Sequence, residues 1–169
     1  MSTSLREKLI RNVGEIALEA STRAPRYDGS RSGSVAGRRA GTVAQKLGAG
    51  YDIVPPGKRS CPYHFHYAQE EMFVILEGEG TLRVAGEMIS VRAGDVIDIP
   101  PGPDYPHQFI NTSDAPLKYL SISTQEVPEV CEYPDSGKYL AYARPKGDLL
   151  QGGRMHRPDS DLDYWDGEA

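Results

Sequence analysis

Short runs in which apolar and polar residues alternate dominate the middle of the chain, and Gly- and Pro-rich turns separate them. The β-like runs cover residues 42–47, 51–54, 63–66, 72–76, 81–85, 88–92, 96–99, 106–111 and 117–123. Alternation with a period of two is typical of strands that bury one face. No helical pattern of ten residues interrupts these runs. The pattern therefore predicts an antiparallel, all-β sandwich or barrel.

The two ends of the chain have a different pattern. Ser4 to Glu7 matches a capping box, and a helical stripe follows at Leu5, Leu9, Val13, Ile16 and Ala20. This predicts one short N-terminal amphipathic helix, which is too little for a helix-turn-helix. A Ser/Gly/Arg-rich stretch over residues 26–41 predicts a flexible basic arm.

After residue 125 the alternation fades into a turn-rich segment, 131–138, and an acidic, aromatic one, 161–168. We therefore divide the chain into a helix and basic arm at 1–41, a β-barrel at 42–125, and a C-terminal extension at 126–169. The extension is expected to pack on the barrel or on a partner subunit. A length of 169 residues fits one domain with an arm at each end.

The formal net charge of −5 conceals an asymmetry along the chain. Residues 1–60 hold 11 Lys/Arg against 5 Asp/Glu, whereas residues 61–169 hold 8 against 19. No aromatic interleaving or recognition motif accompanies the basic part, so we expect no nucleic-acid partner. No apolar run is long enough to span a bilayer, and there is no secretory h-region, so we expect no membrane partner. Cys61 and Cys131 form no CxxC pair, which fits a reducing cytoplasmic location.

Three of the four histidines and one glutamate lie where they can converge on a single ion. His64 and His66 are two residues apart, so both side chains point to the same face of a strand. Glu71 follows five residues later, and His107 lies on a separate β-like run. Imidazole nitrogens with one carboxylate suit a divalent transition metal, namely Fe, Mn, Ni, Zn or Cu, better than Ca or Mg. These four residues are the predicted metal ligands.

Alternative residues near the site are less favoured. Glu71 is preferred to Glu70 because it shares strand parity with the apolar Phe73 and so faces the interior. Cys61, three residues before the first histidine, is more plausibly a small packed thiol than a ligand. His156 lies in a polar stretch and matches no motif, which is typical of a surface histidine.

The spacing also resembles the two motifs of the cupin superfamily. The pattern G-x5-H-x-H-x3,4-E-x6-G is carried by Gly57, His64, His66, Glu71 and Gly78. The pattern G-x5-P-x-G-x2-H-x3-N is carried by Gly94, Pro100, Gly102, His107 and Asn111. One extra residue precedes His64 and two extra precede His107; both insertions lengthen turns and leave the ligand-bearing runs intact.

The resemblance implies a double-stranded β-helix (jelly-roll) barrel, with a short N-terminal helix and an extended C-terminal arm. It also implies a homodimer, and it places the chain near a group of bacterial cupins without assigned activity. Related cupins include Fe or Mn dioxygenases, isomerases and decarboxylases. We therefore expect a metalloenzyme of dioxygenase or isomerase type acting on a small-molecule substrate. A non-enzymatic module that binds a sugar or carboxylate ligand is the alternative, and a metal-free sugar epimerase is a second one.

Overall fold

The computed structural model describes residues 4–143 and 153–168, and this part of the chain is built almost entirely of β-strands. One α-helix, α1, spans Leu5–Leu9, and two 3₁₀ turns span Val13–Glu15 and Pro158–Ser160. The strands are β1 (Glu19–Ala20), β2 (Arg31–Ala36), β3 (Leu47–Val54), β4 (Phe65–His66), β5 (Glu71–Glu77), β6 (Glu79–Val84), β7 (Glu87–Arg92), β8 (Val96–Ile99), β9 (His107–Ile110), β10 (Leu117–Thr124), β11 (Glu129–Tyr133), β12 (Lys138–Tyr142) and β13 (Arg154–His156). The all-β prediction is confirmed. None of the helices in the described ranges is long and apolar enough to cross a membrane.

The strands form three antiparallel sheets. The largest has the order β1-β2-β3-β10-β5-β8, a second has the order β7-β6-β9, and a third has the order β13-β12-β11-β4. The buried core draws on strands of the first two sheets: Val54, Phe73, Ile75, Leu82, Val84, Val91, Ile99, Phe109, Leu117 and Tyr119. Alternation decides which side chains enter it, because Phe73 and Ile75 are buried on β5 while Met72 and Leu76 are exposed. Met72 and Leu76 form an exposed apolar patch on the outer face of β5.

The N-terminal helix is shorter than the stripe of apolar residues predicts. It ends after Leu9, because Ile10 is extended and Asn12 accepts a hydrogen bond from the Gly14 N–H instead of continuing the helix. Glycine inside a helix is unfavourable by about 1 kcal/mol relative to alanine, which favours this break. The last residue of the predicted stripe, Ala20, belongs to strand β1.

The basic segment that we predicted to be flexible contains β2, which pairs with β3 in the largest sheet. Its Ser-Gly-Ser sequence has no apolar alternation, so no local signal marks it as a strand. It is ordered by the otherwise unpaired backbone groups along the edge of β3. Strand β11 of the C-terminal extension pairs with β4 and with β12. Residues 144–152 of the extension lie outside the described ranges.

Candidate metal centre

The four predicted ligands come from neighbouring positions on three strands and one bridge. His66 ends β4, Glu71 begins β5, and His107 begins β9. His64 forms an isolated bridge with His107, which brings the two motifs together across the fold. Each of His64, Glu71 and His107 offers a ligand atom within 4.8 Å of the others. The His66 Nε2 atom lies 3.7 Å from Oε2 of Glu71, so the three histidines surround the carboxylate of Glu71.

Each of the three imidazoles is held at its Nδ1 atom. His64 Nδ1 lies 2.8 Å from the carbonyl of Pro62, and His107 Nδ1 lies 3.3 Å from the carbonyl of Tyr105. His66 Nδ1 lies 3.3 Å from Oε1 of a carboxylate, Glu129. A carbonyl or carboxylate at Nδ1 requires the N–H tautomer there, which leaves the Nε2 lone pair free for a metal.

The protonation states also suit a metal. Burial raises the pKa of Glu71, but His107, His66 and His64 together outweigh burial and hold the pKa at about 2. Burial lowers the pKa of His107, and the raising effect of Glu71 opposes it only in part. A carboxylate beside a neutral imidazole is the state in which both groups bind metal ions.

Two atoms at the centre lack the partners that buried polar atoms normally have. Oε2 of Glu71 and Nε2 of His107 are 3.0 Å apart, and with the His107 proton on Nδ1 the two atoms face each other with lone pairs. Among the described residues neither atom has any hydrogen-bond partner. Buried polar atoms without partners are unfavourable, and a cation between the two would satisfy both. The residues present therefore fit a transition metal with nitrogen and oxygen ligands.

Strand β11 adds three residues to this centre that sequence reasoning did not place there. Glu129 contacts His66, and the ring of Tyr133 stacks on His64 at 6.0 Å between ring centroids. Cys131 is buried, pairs with His66 across the strands, and has its Sγ within 4.8 Å of ligand atoms of His64 and His66. The three residues alternate along one strand, so they share its face. No motif marks them, since they lie more than sixty residues after the first histidine pair.

The inner face of the largest sheet becomes polar toward Glu71. Three rows of paired residues cross β5, β10 and β3 on this face. The first row is Ile75, Tyr119 and Asp52, the second is Phe73, Ser121 and Gly50, and the third is Glu71, Ser123 and Gly48. Small residues in these rows leave space inside the fold. A cavity of about 860 Å³ is lined there by Ser32, Ser34, Gly50, Asp52 and Ser121, and by the N-terminal segment. The four predicted metal ligands are not among its lining residues.

Asp52 is a second carboxyl group on this inner face of the sheet, besides Glu71. It accepts a hydrogen bond of 2.8 Å from the Ser121 hydroxyl, and it lines the cavity, which accounts for its partial exposure. Burial raises the pKa of Asp52 to about 6, the Ser121 hydrogen bond opposes this, and the charge of Glu71 adds to it. The arrangement places a carboxyl group that titrates near neutral pH beside an open space.

The remaining candidate residues lie apart from the centre. Glu70 is exposed, as expected from its strand parity. The Sγ atom of Cys61 is 3.8 Å from His64 Nδ1, on the side of the ring that faces away from the other ligands. Asn111 is fully buried and holds a turn through bonds to the carbonyls of neighbouring residues. His156 lies on β13 and stacks on Tyr139.

In comparison with known protein families, residues 50–123 match the Cupin_2 family model, which describes a cupin domain. The chain is 42% identical over 71 residues to an uncharacterised protein of Methanocaldococcus jannaschii, which is 42% of this chain and 54% of that one. It is 33% identical over 69 residues to the oxalate-binding protein of Thermotoga maritima, which is 41% of this chain and 54% of that one. The chain thus spans about half the length of the curated relatives it matches.

Comparison with solved structures bears on the fold alone, because the identities are low. A cupin-superfamily structure from Silicibacter pomeroyi, described as a sugar phosphate isomerase, superposes with a TM-score of 0.72 at 24% identity. The match covers 92% of this chain and 96% of that one, so it extends beyond the barrel into both terminal segments. The predicted jelly-roll fold is confirmed.

Proposed function

Residues 50–123 form a cupin domain, and on that premise we propose that this chain is a metal-dependent enzyme of isomerase type acting on a small, hydroxylated molecule. His64, His66, Glu71 and His107 hold one divalent transition metal. The observation that carries the proposal is the unpartnered, buried pair formed by Oε2 of Glu71 and Nε2 of His107. Such a pair is unfavourable in the bare protein and favourable around a cation.

Charge balance supports a divalent ion. Glu71 is 13% exposed in its side chain and Glu129 is fully buried, so two carboxylates lie beside imidazoles in the interior. Both carboxylates lie within ion-pair distance of imidazoles, Glu71 of His66 and His107 and Glu129 of His66. A divalent cation at the centre would offset the negative charge that these carboxylates carry when ionised. When bound, such an ion supplies Lewis acidity toward a carbonyl or enolate oxygen of the substrate.

The cavity on the inner face of the largest sheet supports a hydroxylated substrate. Its inner-face lining offers the hydroxyl groups of Ser32, Ser34 and Ser121 and the carboxylate of Asp52. Hydroxyl groups of a ligand can donate to that carboxylate and exchange hydrogen bonds with the serines. The N-terminal part of the lining adds arginine and glutamate side chains, so the cavity carries charges of both signs. Hydroxycarbonyl compounds fit both the lining and a Lewis-acidic metal.

Asp52 is the proposed proton-transfer residue. Isomerisation of a hydroxycarbonyl compound moves a proton between adjacent carbons, and the group that carries it works best when its pKa lies near the working pH. Burial raises the pKa of Asp52 to about 6, and the Ser121 hydroxyl orients one of its oxygens. A residue able to transfer a proton beside a cavity of this lining favours isomerase chemistry.

A non-enzymatic binding protein is the second candidate. It is favoured by the relationship to the oxalate-binding protein of T. maritima, which is 33% identical over 69 residues. In that case the metal anchors a carboxylate ligand and nothing is turned over. A metal-free epimerase is less favoured, because His64, His66 and His107 gather around one carboxylate instead of leaving a histidine free as a base.

The metal is tested by elemental analysis of the purified chain beside two matched variants. Glu71→Gln removes the central carboxylate, whereas Glu70→Gln makes the same change on the neighbouring exposed residue. We expect about one transition metal ion per chain in the wild type and in Glu70→Gln, and less than about a tenth of that in Glu71→Gln. Circular dichroism should show the same β-sheet signal in all three proteins. A wild type that takes up no metal after reconstitution overturns the proposal.

The reaction class is tested separately on the metal-loaded protein. A panel of small hydroxyaldehydes and hydroxyketones is incubated in D₂O, and NMR follows deuterium incorporation and isomer formation. We expect incorporation with the wild type and a loss of about 100-fold or more with Asp52→Asn. Oxygen consumption without deuterium incorporation would indicate a dioxygenase instead. Binding of oxalate in calorimetry with no turnover of any compound would indicate the binding protein.

A further inference from the structure

The C-terminal extension carries a buried carboxylate that touches the predicted centre from outside both motifs. Glu129, the first residue of β11, is 1% exposed. Its Oε1 atom lies 3.3 Å from Nδ1 of His66 and also accepts the N–H of Tyr67 at 3.1 Å. Its Oε2 atom accepts the N–H groups of Ala68 and Gln69, each at 3.0 Å. The one side chain thus holds the imidazole and the backbone that follows it.

The three histidines are held in different ways at Nδ1. His64 and His107 have backbone carbonyls there, which are neutral acceptors. His66 has a buried carboxylate, which is a stronger acceptor and carries a full charge. A carboxylate at Nδ1 makes Nε2 a better electron donor, and it fixes both the tautomer and the rotation of the ring.

The direction of the ring agrees with this role. Nδ1 of His66 faces Glu129, and Nε2 faces Glu71 at 3.7 Å. The imidazole therefore bridges two buried carboxylates, one inside the centre and one behind it. The loop that leads from His66 to Glu71, residues 67–70, is also fixed, because three of its backbone N–H groups donate to the Glu129 carboxylate. One residue thereby sets the relative position of two of the four ligands.

We propose that Glu129 is a positioning residue of the metal centre, and that strand β11 is for this reason part of the centre and not an accessory arm. The inference rests on the proposed function only in requiring that the four residues bind a metal. The inference goes beyond the proposed function because Glu129 lies outside residues 50–123, the part of the chain that matches the cupin domain. It assigns the C-terminal extension a role in metal affinity.

The test compares Co²⁺ and Mn²⁺ binding to the full chain and to three variants. Glu129→Gln removes the charge and places an amide NH₂ among N–H donors. Glu129→Asp keeps the charge but shortens the reach by one methylene. Glu132→Gln is the matched control, because Glu132 lies on the same strand and bonds to the Tyr67 hydroxyl instead of a histidine. Affinity is measured by competition with a chelator, at a temperature where circular dichroism shows each protein folded.

We expect Glu129→Gln to weaken metal binding by about 10- to 100-fold, and Glu129→Asp by a smaller factor of at least about three. The control should bind as the wild type does. The visible spectrum of the Co²⁺ form should change with Glu129→Gln, because one imidazole is reoriented. A residue that only stabilises the fold would lower the melting temperature and leave both the affinity and the Co²⁺ spectrum of the folded protein unchanged.

The outcomes separate this inference from the proposed function. A wild type that binds neither ion overturns the metal site itself. A wild type that binds, together with folded Glu129→Gln or Glu129→Asp proteins of wild-type affinity and spectrum, overturns the role of Glu129 alone. If Glu129→Gln does not fold, Glu129→Asp decides the question by the same two measurements.

Discussion

Asp52 has a charge that lowers the stability of the folded chain, and replacing it with asparagine removes that effect. Burial raises its pKa from the ordinary 3.8 to about 6. Between these two pH values the folded state holds a proton that the unfolded state has lost. Stability therefore falls as the pH rises from about 4 to about 6, and the full loss is present above that.

The size of this loss follows from the two pKa values. Each pKa unit corresponds to ~1.4 kcal/mol, so a rise from 3.8 to about 6 amounts to about 3 kcal/mol at pH 7. Asparagine has nearly the same shape and can still bond to the Ser121 hydroxyl. We expect Asp52→Asn to match the wild type near pH 4 and to exceed its free energy of unfolding by about 3 kcal/mol at pH 7.

Urea denaturation of chelator-treated protein measures this difference across pH 4 to 7.5. Metal-free protein is used because the charge of Glu71 contributes to the pKa of Asp52. Asp98→Asn is the control, since Asp98 is exposed on β8 and its replacement should leave the pH profile unchanged. A stability difference for Asp52→Asn that stays constant over this range, or that shrinks as the pH rises, would refute the reasoning. A stabilised variant without isomerase activity would indicate that the carboxylate is retained for chemistry.

Four further substitutions test the packing and the assembly. Asn111→Ala should lower the free energy of unfolding by about 2–4 kcal/mol in urea, because its buried amide donates to the carbonyls of Val54 and Ala115; a loss below 1 kcal/mol would contradict this. Gly78→Ala should lower it by more than about 2 kcal/mol, since φ is +81° and a Cβ there meets the carbonyl of Pro116. Gly57→Ala, with φ of +73° and open space, should lose only about 1 kcal/mol; equal losses at the two glycines would contradict the role of that contact. If the exposed apolar face of β5 forms a homodimer interface, Leu76→Arg should give monomers in sedimentation velocity; a monomeric wild type would argue against the dimer.

The sequence by itself determined the strand-rich barrel and which residues of the motifs meet. Alternation on β5 separates buried Phe73 from exposed Met72, and this is a local property of any strand that buries one face. The same parity argument selects Glu71 over Glu70. The His-x-His spacing already predicts two imidazoles on one face, so the candidate centre could be named before any fold was known.

Only the tertiary structure decided what surrounds those residues. Glu129 meets His66 because β11 pairs with β4, and pairing between strands 63 residues apart leaves no periodic trace in either segment. Strand β2 forms because the backbone groups along the edge of β3 need hydrogen-bond partners. Nothing in the Ser-Gly-Ser sequence of β2 indicates this pairing. Asp52 faces the cavity because the register of β3 with β10 sets it beside Ser121. Pairing between distant strands depends on the whole fold. The local sequence pattern therefore predicts the ligands better than it predicts the residues that hold them in place.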